Sequence, residues 1–271
     1  DSSTSRGLGD VYKRQVITEN SQSITAPGLG LHRQLTEKMS LLAGVYVGFS
    51  PSGPGKSGAE SEESINIEYG VRYDDGQFSG EIIAFESDYD NLLGRCRASD
   101  SDCQVGQEFS GGNVEVSGVE VFGQFQRSLS GGVILASQLN YTFSESKFKG
   151  AFFSQFSQWG LVEKGDELPY IPRHAGRWQV GLETDIWAID VALKYQHGMR
   201  EVPGSGQIAD DLHTDSLTTL DASLTWFVNE QMDLRVLTRN LTDETAIVSH
   251  RPYGARPNFP RTLMAQMKYR F

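Results

Sequence analysis

Apolar residues recur at every second position over several long segments of this chain. The last segment carries them at Leu263, Ala265, Met267, Tyr269 and Phe271, mostly with polar residues between. Because successive side chains of a β-strand point to opposite faces, this period of two predicts strands with one apolar and one polar face. The same alternation occurs at 65–73, 187–196 and 220–226.

Counting the alternating segments predicts eleven strands and an all-β fold. Most span roughly ten to fifteen residues, whereas strands in globular proteins usually have about five or six. A tilted strand that crosses a bilayer needs about nine to eleven residues, so these lengths favour a transmembrane β-barrel. The predicted strands are 24–36, 40–49, 64–73, 77–88, 113–128, 132–146, 175–184, 186–198, 215–227, 231–242 and 261–271.

Short turns and long polar loops alternate between these strands. One end of the sheet would then carry every turn and the other every loop, as in bacterial outer-membrane barrels. A soluble β-sandwich has no such preference. The turns fall at 37–39, 74–76, 129–131, 185 and 228–230, and the loops at about 50–63, 89–112, 147–174, 199–214 and 243–260.

The residue types on the two faces support the same choice. The polar positions often hold Gly, Ser, Thr, Asn or Gln with interspersed charges, which fits a hydrated barrel interior. Aromatic residues such as Tyr73, Trp187 and Trp226 lie toward strand ends, as interfacial girdles require. We therefore predict an antiparallel up-and-down barrel, with a soluble β-sandwich or β-helix as the alternative.

The composition limits the possible binding partners and the cellular compartment of the protein. The net charge is −11, which argues against nucleic acid as a partner. The apolar runs reach about four residues, far below the ~20 that a membrane helix needs. The two cysteines, Cys96 and Cys103, lie close together without a CxxC or zinc spacing, so a local disulfide is favoured over metal binding. A disulfide implies an oxidising compartment outside the cytosol.

Residues 1–15 form a leader with no apolar core and no cleavage-like site. They resemble a translated library adapter, and we treat them as non-native. The native sequence, 16–271, then begins inside a domain and is a fragment. Single-chain bacterial barrels have even strand numbers, and an open edge in lipid leaves backbone groups unpaired. We therefore expect more strands before residue 16 in the parent protein.

Seven motifs stand in order along about 245 residues of the chain. They are 27–30 with 35–36 and 43–51, the strand Asn66–Tyr73, Phe85 with 88–93, Gly118–Glu120, Tyr170–His174, Asn240–Glu244 and Pro260–Thr262. Their order and spacing resemble the TonB-dependent receptors, and within that family the ferric-dicitrate-like branch. The resemblance implies the eleven carboxy-terminal strands of a 22-stranded barrel that imports ferric citrate or a siderophore.

The same resemblance implies the partners. They are a ferric chelate as transported ligand, the lipid and lipopolysaccharide of the Gram-negative outer membrane, and the TonB energy complex, which acts through a plug domain upstream. No cofactor is implied. The terminal strand, with Tyr269 and Phe271, is where the barrel-assembly machinery would engage the chain by strand pairing.

An anionic chelate needs cationic donors near the barrel mouth, and the arginine fork suits carboxylates. Residues 244–260 hold the densest group of such side chains, with an aromatic residue that could stack against the ligand. For each residue, a solvated loop position is the competing interpretation. The candidates are Arg173, His174, Arg200, His250, Arg251, Tyr253 and Arg256.

Motifs for enzymatic chemistry are incomplete. Residues 53–57 approach a phosphate loop, but Ser50 replaces the first glycine and no helix is predicted to follow. Residues 48–52 lack the final glycine of a nucleophile elbow. The histidines lack metal-ligand spacing. We expect a transporter that is neither an enzyme nor a metal-binding protein, and keep a passive porin, a barrel enzyme and a soluble adhesive sandwich as alternatives.

Overall fold

The computed structural model describes residues 24–51, 61–96, 105–106, 108–154, 156, 158–209, 211–251 and 254–271. Eleven long strands, numbered here β1 to β11, make up most of these ranges. The residues that were predicted to be a leader lie outside them. The strands are β1 Gly28–Thr36, β2 Met39–Ser50, β3 Glu62–Asp74, β4 Phe78–Asp90, β5 Val114–Ser128, β6 Ile134–Phe148, β7 His174–Glu183, β8 Trp187–Gln196, β9 Leu217–Asn229, β10 Met232–Arg239 and β11 Thr262–Tyr269.

The eleven strands form one antiparallel sheet in which each strand pairs with its neighbours in sequence. The predicted number of strands and their up-and-down order are confirmed. Within the described residues β1 and β11 are each paired along one edge only, so the sheet is open. No helix in these ranges has the length and apolar character needed to cross a membrane.

One face of the sheet is apolar but uncovered. Cross-strand partners share a face, and the register aligns Leu224 with Val236 and Leu234 with Met267. Leu263 remains 71% exposed and Met267 66% exposed. In a β-sandwich such side chains would be packed against a second sheet, and the described ranges contain only three small two-stranded sheets besides the main one. The structure therefore contradicts the sandwich alternative.

The opposite face is polar, and its charged side chains are paired across strands. Arg72 on β3 binds Glu81 on β4 with N to O distances of 2.8 and 2.9 Å. Lys194 on β8 lies 2.5 Å from Asp221 on β9. Because the charged groups compensate one another on this face, the two sides of the sheet suit two different environments.

The connections are short at one end of the sheet and long at the other, as predicted. The turn between β3 and β4 is typical, because Gly76 has a φ of 86° and the Asp75 carboxylate accepts the N–H groups of Gln77 and Phe78. The hydrogen bond from the N–H of Phe78 has the largest effect in lowering the pKa of Asp75, and that from Gln77 has the next largest. The long loops contain three small hairpins, which are Leu93–Arg95 with Glu108–Ser110, Phe152–Phe153 with Leu161–Val162, and Ile247–Ser249 with Arg256–Pro257.

A small hydrophobic core lies at the long-loop end. Phe148, at the end of β6, is 1% exposed and packs with the fully buried Val114 and Val162. The Phe152 and Trp159 rings meet Phe148 edge-on at centroid distances of 5.6 and 5.9 Å. Since Phe148 and Val114 belong to the polar face by strand parity, the loop that follows β6 folds over that face. This packing holds residues 149–173 close to the strand ends.

Gly118, in the middle of β5, is closely surrounded. A Cβ at this position would meet the backbone oxygen of Phe143 on one side and the Phe85 ring at 2.8 Å on the other. The Phe143 oxygen belongs to the neighbouring strand and cannot rotate away. The position therefore requires glycine for steric reasons.

We expect Gly118→Ala to lower the free energy of unfolding by about 1–3 kcal/mol, because the added methyl must push two strands apart. The matched control is Gly44→Ala on β2, where the nearest atom to a Cβ lies at 3.9 Å. That change should be neutral or slightly stabilising. Urea unfolding followed by tryptophan fluorescence measures both. Equal effects of the two substitutions would contradict the steric argument.

Candidate ligand-binding surface at the long-loop end

Three long loops meet at the long-loop end of the sheet and are joined by backbone hydrogen bonds. The loop after β6 joins the loop after β8 through Tyr170 N–H to the Arg200 oxygen, at 2.9 Å. The loop after β8 joins the loop after β10 through Asp215 N–H to the Ile247 oxygen, at 2.8 Å. Residues 149–173, 197–216 and 240–261 are thus connected to each other as well as to the strands.

Glu201 lies at the centre of this contact and is 2% exposed. Its Oε1 accepts the Tyr170 hydroxyl at 3.0 Å and the backbone N–H of His250 at 2.8 Å. Its Oε2 lies 2.9 Å from His250 Nδ1. Burial raises the pKa of Glu201, but the hydrogen bonds from His250 and Tyr170 outweigh it and hold the pKa below its usual range. One carboxylate therefore joins all three loops.

Arg200, beside Glu201, is also occupied. It is 6% exposed, and its Nε donates to Glu167 Oε2 at 2.8 Å. Arg173 approaches the other oxygen of Glu167 at 3.3 Å and Glu145 at 3.5 Å. Because a buried arginine is stable only with such partners, Arg200 and Glu167 hold the loops together. Together with Glu201, Tyr170 and His250, they form what we call the loop bracket.

Arg251 and Arg256 differ from the cations of the bracket. In the part of the chain that the structure describes, neither side chain forms an ion pair. Arg256 is exposed, and its Nη1 donates to the Arg251 backbone oxygen at 3.4 Å, which places the two residues side by side. Tyr253, the predicted stacking residue, lies outside the described residues. Arg251 and Arg256 are therefore the candidates that can still bind an anion.

His174 lies apart from the other candidates. It begins β7 on the apolar face, where its register partner is Phe143. Its Nδ1 lies 2.8 Å from the Tyr141 hydroxyl, and its ring contacts Phe143 and His197 at centroid distances of 5.3 and 5.8 Å. The structure therefore places His174 in an aromatic group at the edge of the apolar face.

A wall with more basic than acidic groups lies below the loop that follows β10. It lines a cavity of about 860 Å³ on the face of β7 to β11 that carries the charged residues, and apolar side chains such as Leu237 and Met264 also line this cavity. Lys194 pairs with Asp221, and Arg235 donates to Ser223, which donates to Asp190 at 3.2 Å. The basic groups of the wall are Arg177, Lys194, Arg235 and Arg239, and the acidic ones are Asp190 and Asp221.

Sequence reasoning missed both the bracket acids and this wall. An anionic ligand points to cations and not to acids such as Glu201 and Glu167, although the adjacent pair Arg200 and Glu201 is a visible signal in the sequence. The wall residues sit at alternating strand positions on neighbouring strands, and their proximity depends on the register. Among the described residues, no group of three or more His, Cys, Asp or Glu side chains is arranged to hold a metal ion.

Comparison with known proteins gives a family and a fold. The family model described as "TonB dependent receptor-like, beta-barrel" matches residues 1–241. No curated protein sequence matches the chain. Members of this family are outer-membrane β-barrel proteins and are transporters, not enzymes.

Three solved structures share the fold at 19–21% sequence identity. The ferric-catecholate import receptor Fiu from E. coli K12 is 20% identical with a TM-score of 0.66, over 90% of this chain and 34% of that one. The ferric yersiniabactin uptake receptor FyuA from Yersinia pestis is 21% identical with a TM-score of 0.65, over 90% and 37%. The ferric citrate transporter FecA in the unliganded form is 19% identical with a TM-score of 0.67, over 91% and 38%.

The chain thus spans little more than a third of the length of these three proteins. The family model matches most of the chain, and the described residues form an eleven-stranded antiparallel sheet. The chain therefore belongs to the TonB-dependent receptor-like β-barrel family.

Proposed function

We propose that the protein containing this chain imports an anionic ferric chelate, ferric citrate or a siderophore, across the Gram-negative outer membrane. The proposal rests on the adjacent arginines Arg251 and Arg256, which have no acidic partner among the described residues. They lie at the long-loop end of a sheet whose family is the TonB-dependent receptor-like β-barrels. Arginine forks suit carboxylate and other oxygen-rich anions.

The names of the three similar proteins support iron as the cargo. Each names a ferric compound, namely a catecholate, yersiniabactin or citrate. At about 20% identity these likenesses concern the fold, so they favour a class of cargo and not one chelate. The passive porin and the barrel enzyme are disfavoured by the family to which the chain belongs.

In this proposal the two groups of cations have different tasks. Arg200 and His250 fix the loops through Glu167 and Glu201 and are too enclosed to receive a large ligand. Arg251 and Arg256 contact the chelate, and Tyr253, which stands between them in the sequence, is proposed as the stacking residue. The basic wall below, with Lys194 and Arg235, then attracts the anion further into the barrel.

We further propose that upstream strands and a plug domain complete a 22-stranded barrel. The TonB energy complex would act through that plug. Closure would provide hydrogen-bonding partners for the outer edges of β1 and β11, which lipid cannot provide. The apolar face would contact lipid, and its His174 group would lie near the lipopolysaccharide.

Two smaller proposals concern maturation. Phe271 is fully exposed, and its ring lies 5.1 Å from that of Tyr269 at the end of the apolar face. This arrangement supports recognition of the terminal strand by the barrel-assembly machinery.

Cys96 is 3% exposed. Cys103 lies outside the described residues, and the disulfide between Cys96 and Cys103 stays a prediction.

Arg251→Gln and Arg256→Gln should each raise the chelate concentration for half-maximal uptake by about tenfold, because one charge-assisted hydrogen bond is lost. Uptake of radiolabelled iron is measured in a deletion strain complemented with the full-length receptor, for ferric citrate and for representative siderophores. The control is Lys164→Gln, an exposed cation on another loop at the same end. If the deletion leaves the uptake of every chelate unchanged, iron import is rejected. If the deletion abolishes uptake but both arginine variants behave like wild type, the proposed site is rejected and iron import is not.

Glu201→Gln should loosen the loops while the barrel stays intact. The amide would direct a donor or an uncharged oxygen toward the His250 N–H and the Tyr170 hydroxyl, in place of a carboxylate. We expect amide hydrogen exchange in residues 197–209 to accelerate by about tenfold near neutral pH. Glu163→Gln, an exposed acid on the loop after β6, is the control and should change nothing. Unchanged exchange in Glu201→Gln would contradict the role of the bracket.

The same exchange experiment has a pH dependence with a defined sign. The pKa of Glu201 is lowered in the folded protein from its ordinary value of 4.5. Its stabilisation is therefore complete above about pH 4.5 and is lost as the pH falls through the lowered value. We expect the ratio of the exchange rates of Glu201→Gln and wild type to fall toward one in that window. The ratio removes the intrinsic pH dependence of exchange, and a constant ratio would contradict the assignment.

A further inference from the structure

A groove of about 420 Å³ interrupts the apolar face of β4 to β7 near the short-turn end. Its floor is the register pair Gly80 and Gly123, which present no side chains. The Phe78 ring lies against both glycines, with ring atoms at 3.1 Å from a Cβ at Gly80 and 3.6 Å from one at Gly123. Ile82 and Trp178, on either side, are 56% and 52% exposed.

The polar atoms in the groove wall are occupied within the protein. Trp178 Nε1 donates to the Ser137 hydroxyl at 3.0 Å, although both side chains belong to the apolar face. The Tyr73 hydroxyl donates to the Asp75 carboxylate at 3.2 Å, in the turn below. The groove therefore offers hydrocarbon contacts to its occupant and no directional donor, which suits a flexible alkyl chain.

A cation lies at the short-turn side of the groove. Arg127 follows Phe125 by two positions on β5, so it lies on the same face roughly 7 Å closer to the turns. It is exposed and forms no ion pair within the described residues. A lipid with its acyl chain in the groove would place its phosphate near Arg127.

We propose that this groove binds one phospholipid from the leaflet on the short-turn side, with an acyl chain against the Phe78 ring between Ile82 and Trp178 and the phosphate on Arg127. The proposal rests on the proposed membrane location but is independent of the transported chelate. The combination of a glycine floor, internally paired polar atoms and an unpaired cation favours a lipid over a second copy of the chain, which would need matching polar partners around the groove.

The test is native mass spectrometry of the full-length receptor, released from mild detergent with dioleoyl phosphatidylglycerol as the added probe. Gly123→Leu fills the groove, and its new Cβ meets only the Phe78 ring at ordinary contact distance. Arg127→Gln removes the phosphate partner. The controls are Ala43→Leu and Arg33→Gln, which make the same kinds of change at exposed positions of the same face, remote from the groove.

We expect each groove variant to retain about tenfold less lipid than wild type, and each control to retain the wild-type amount. Heat-modifiability on gels verifies that every variant is a folded barrel, and Arg127→Gln adds no bulk that could disturb folding. Equal retention in all proteins, or equal loss in variants and controls, would overturn the proposal. A wild-type dimer that Gly123→Leu dissociates would assign the groove to a second copy instead. Chelate uptake, measured separately, reports on the proposed function and should be unchanged.

Discussion

Cross-strand backbone hydrogen bonding is the interaction on which the rest of this structure depends. Neighbouring strands pair through their N–H and C=O groups over registers of seven to fifteen partner pairs, and only the outer edges of β1 and β11 lack a partner strand among the described residues. Because this pairing uses the backbone and not the side chains, the two faces of the sheet are free to differ. One face keeps large apolar side chains exposed, and the other carries polar and charged side chains, some of which pair across strands. A lipid environment on one side and water on the other satisfies both at once.

Most of the sheet was predictable because a period of two is a local signal. Residues 113–128 and 132–146 were expected to be strands, and β5 and β6 differ from them by one or two residues. The alternation of turns and loops was equally visible, since turns such as Asp74 to Gly76 carry their own chemistry. Register was not predictable in detail, because it depends on which residues face each other across strands. The pairing of Gly80 with Gly123, and hence the groove, follows from register alone.

The candidate site was predictable only in part, and the reason is electrostatic. A sequence shows where cations stand but not which carboxylates approach them. Arg200 and His250 looked equivalent to Arg251 and Arg256, yet folding places Glu167 and Glu201 against the first two only. His174 was assigned to the same surface, but the parity of β7 turns its ring to the apolar face. Those assignments required the loops to be seen in three dimensions.

The surplus of acidic residues does not argue against an anionic cargo, because electrostatic attraction in salt acts over about 8–10 Å and not over the whole chain. At the long-loop end, Glu167 pairs with Arg200 and Arg173, and Glu201 pairs with His250. On the wall below, four basic groups face two acidic ones. The net charge of −11 therefore describes the chain as a whole and not the lining of this cavity, where basic groups outnumber acidic ones. Binding of an anion and a low isoelectric point are compatible when the acids are used for structure and some of the bases are left free.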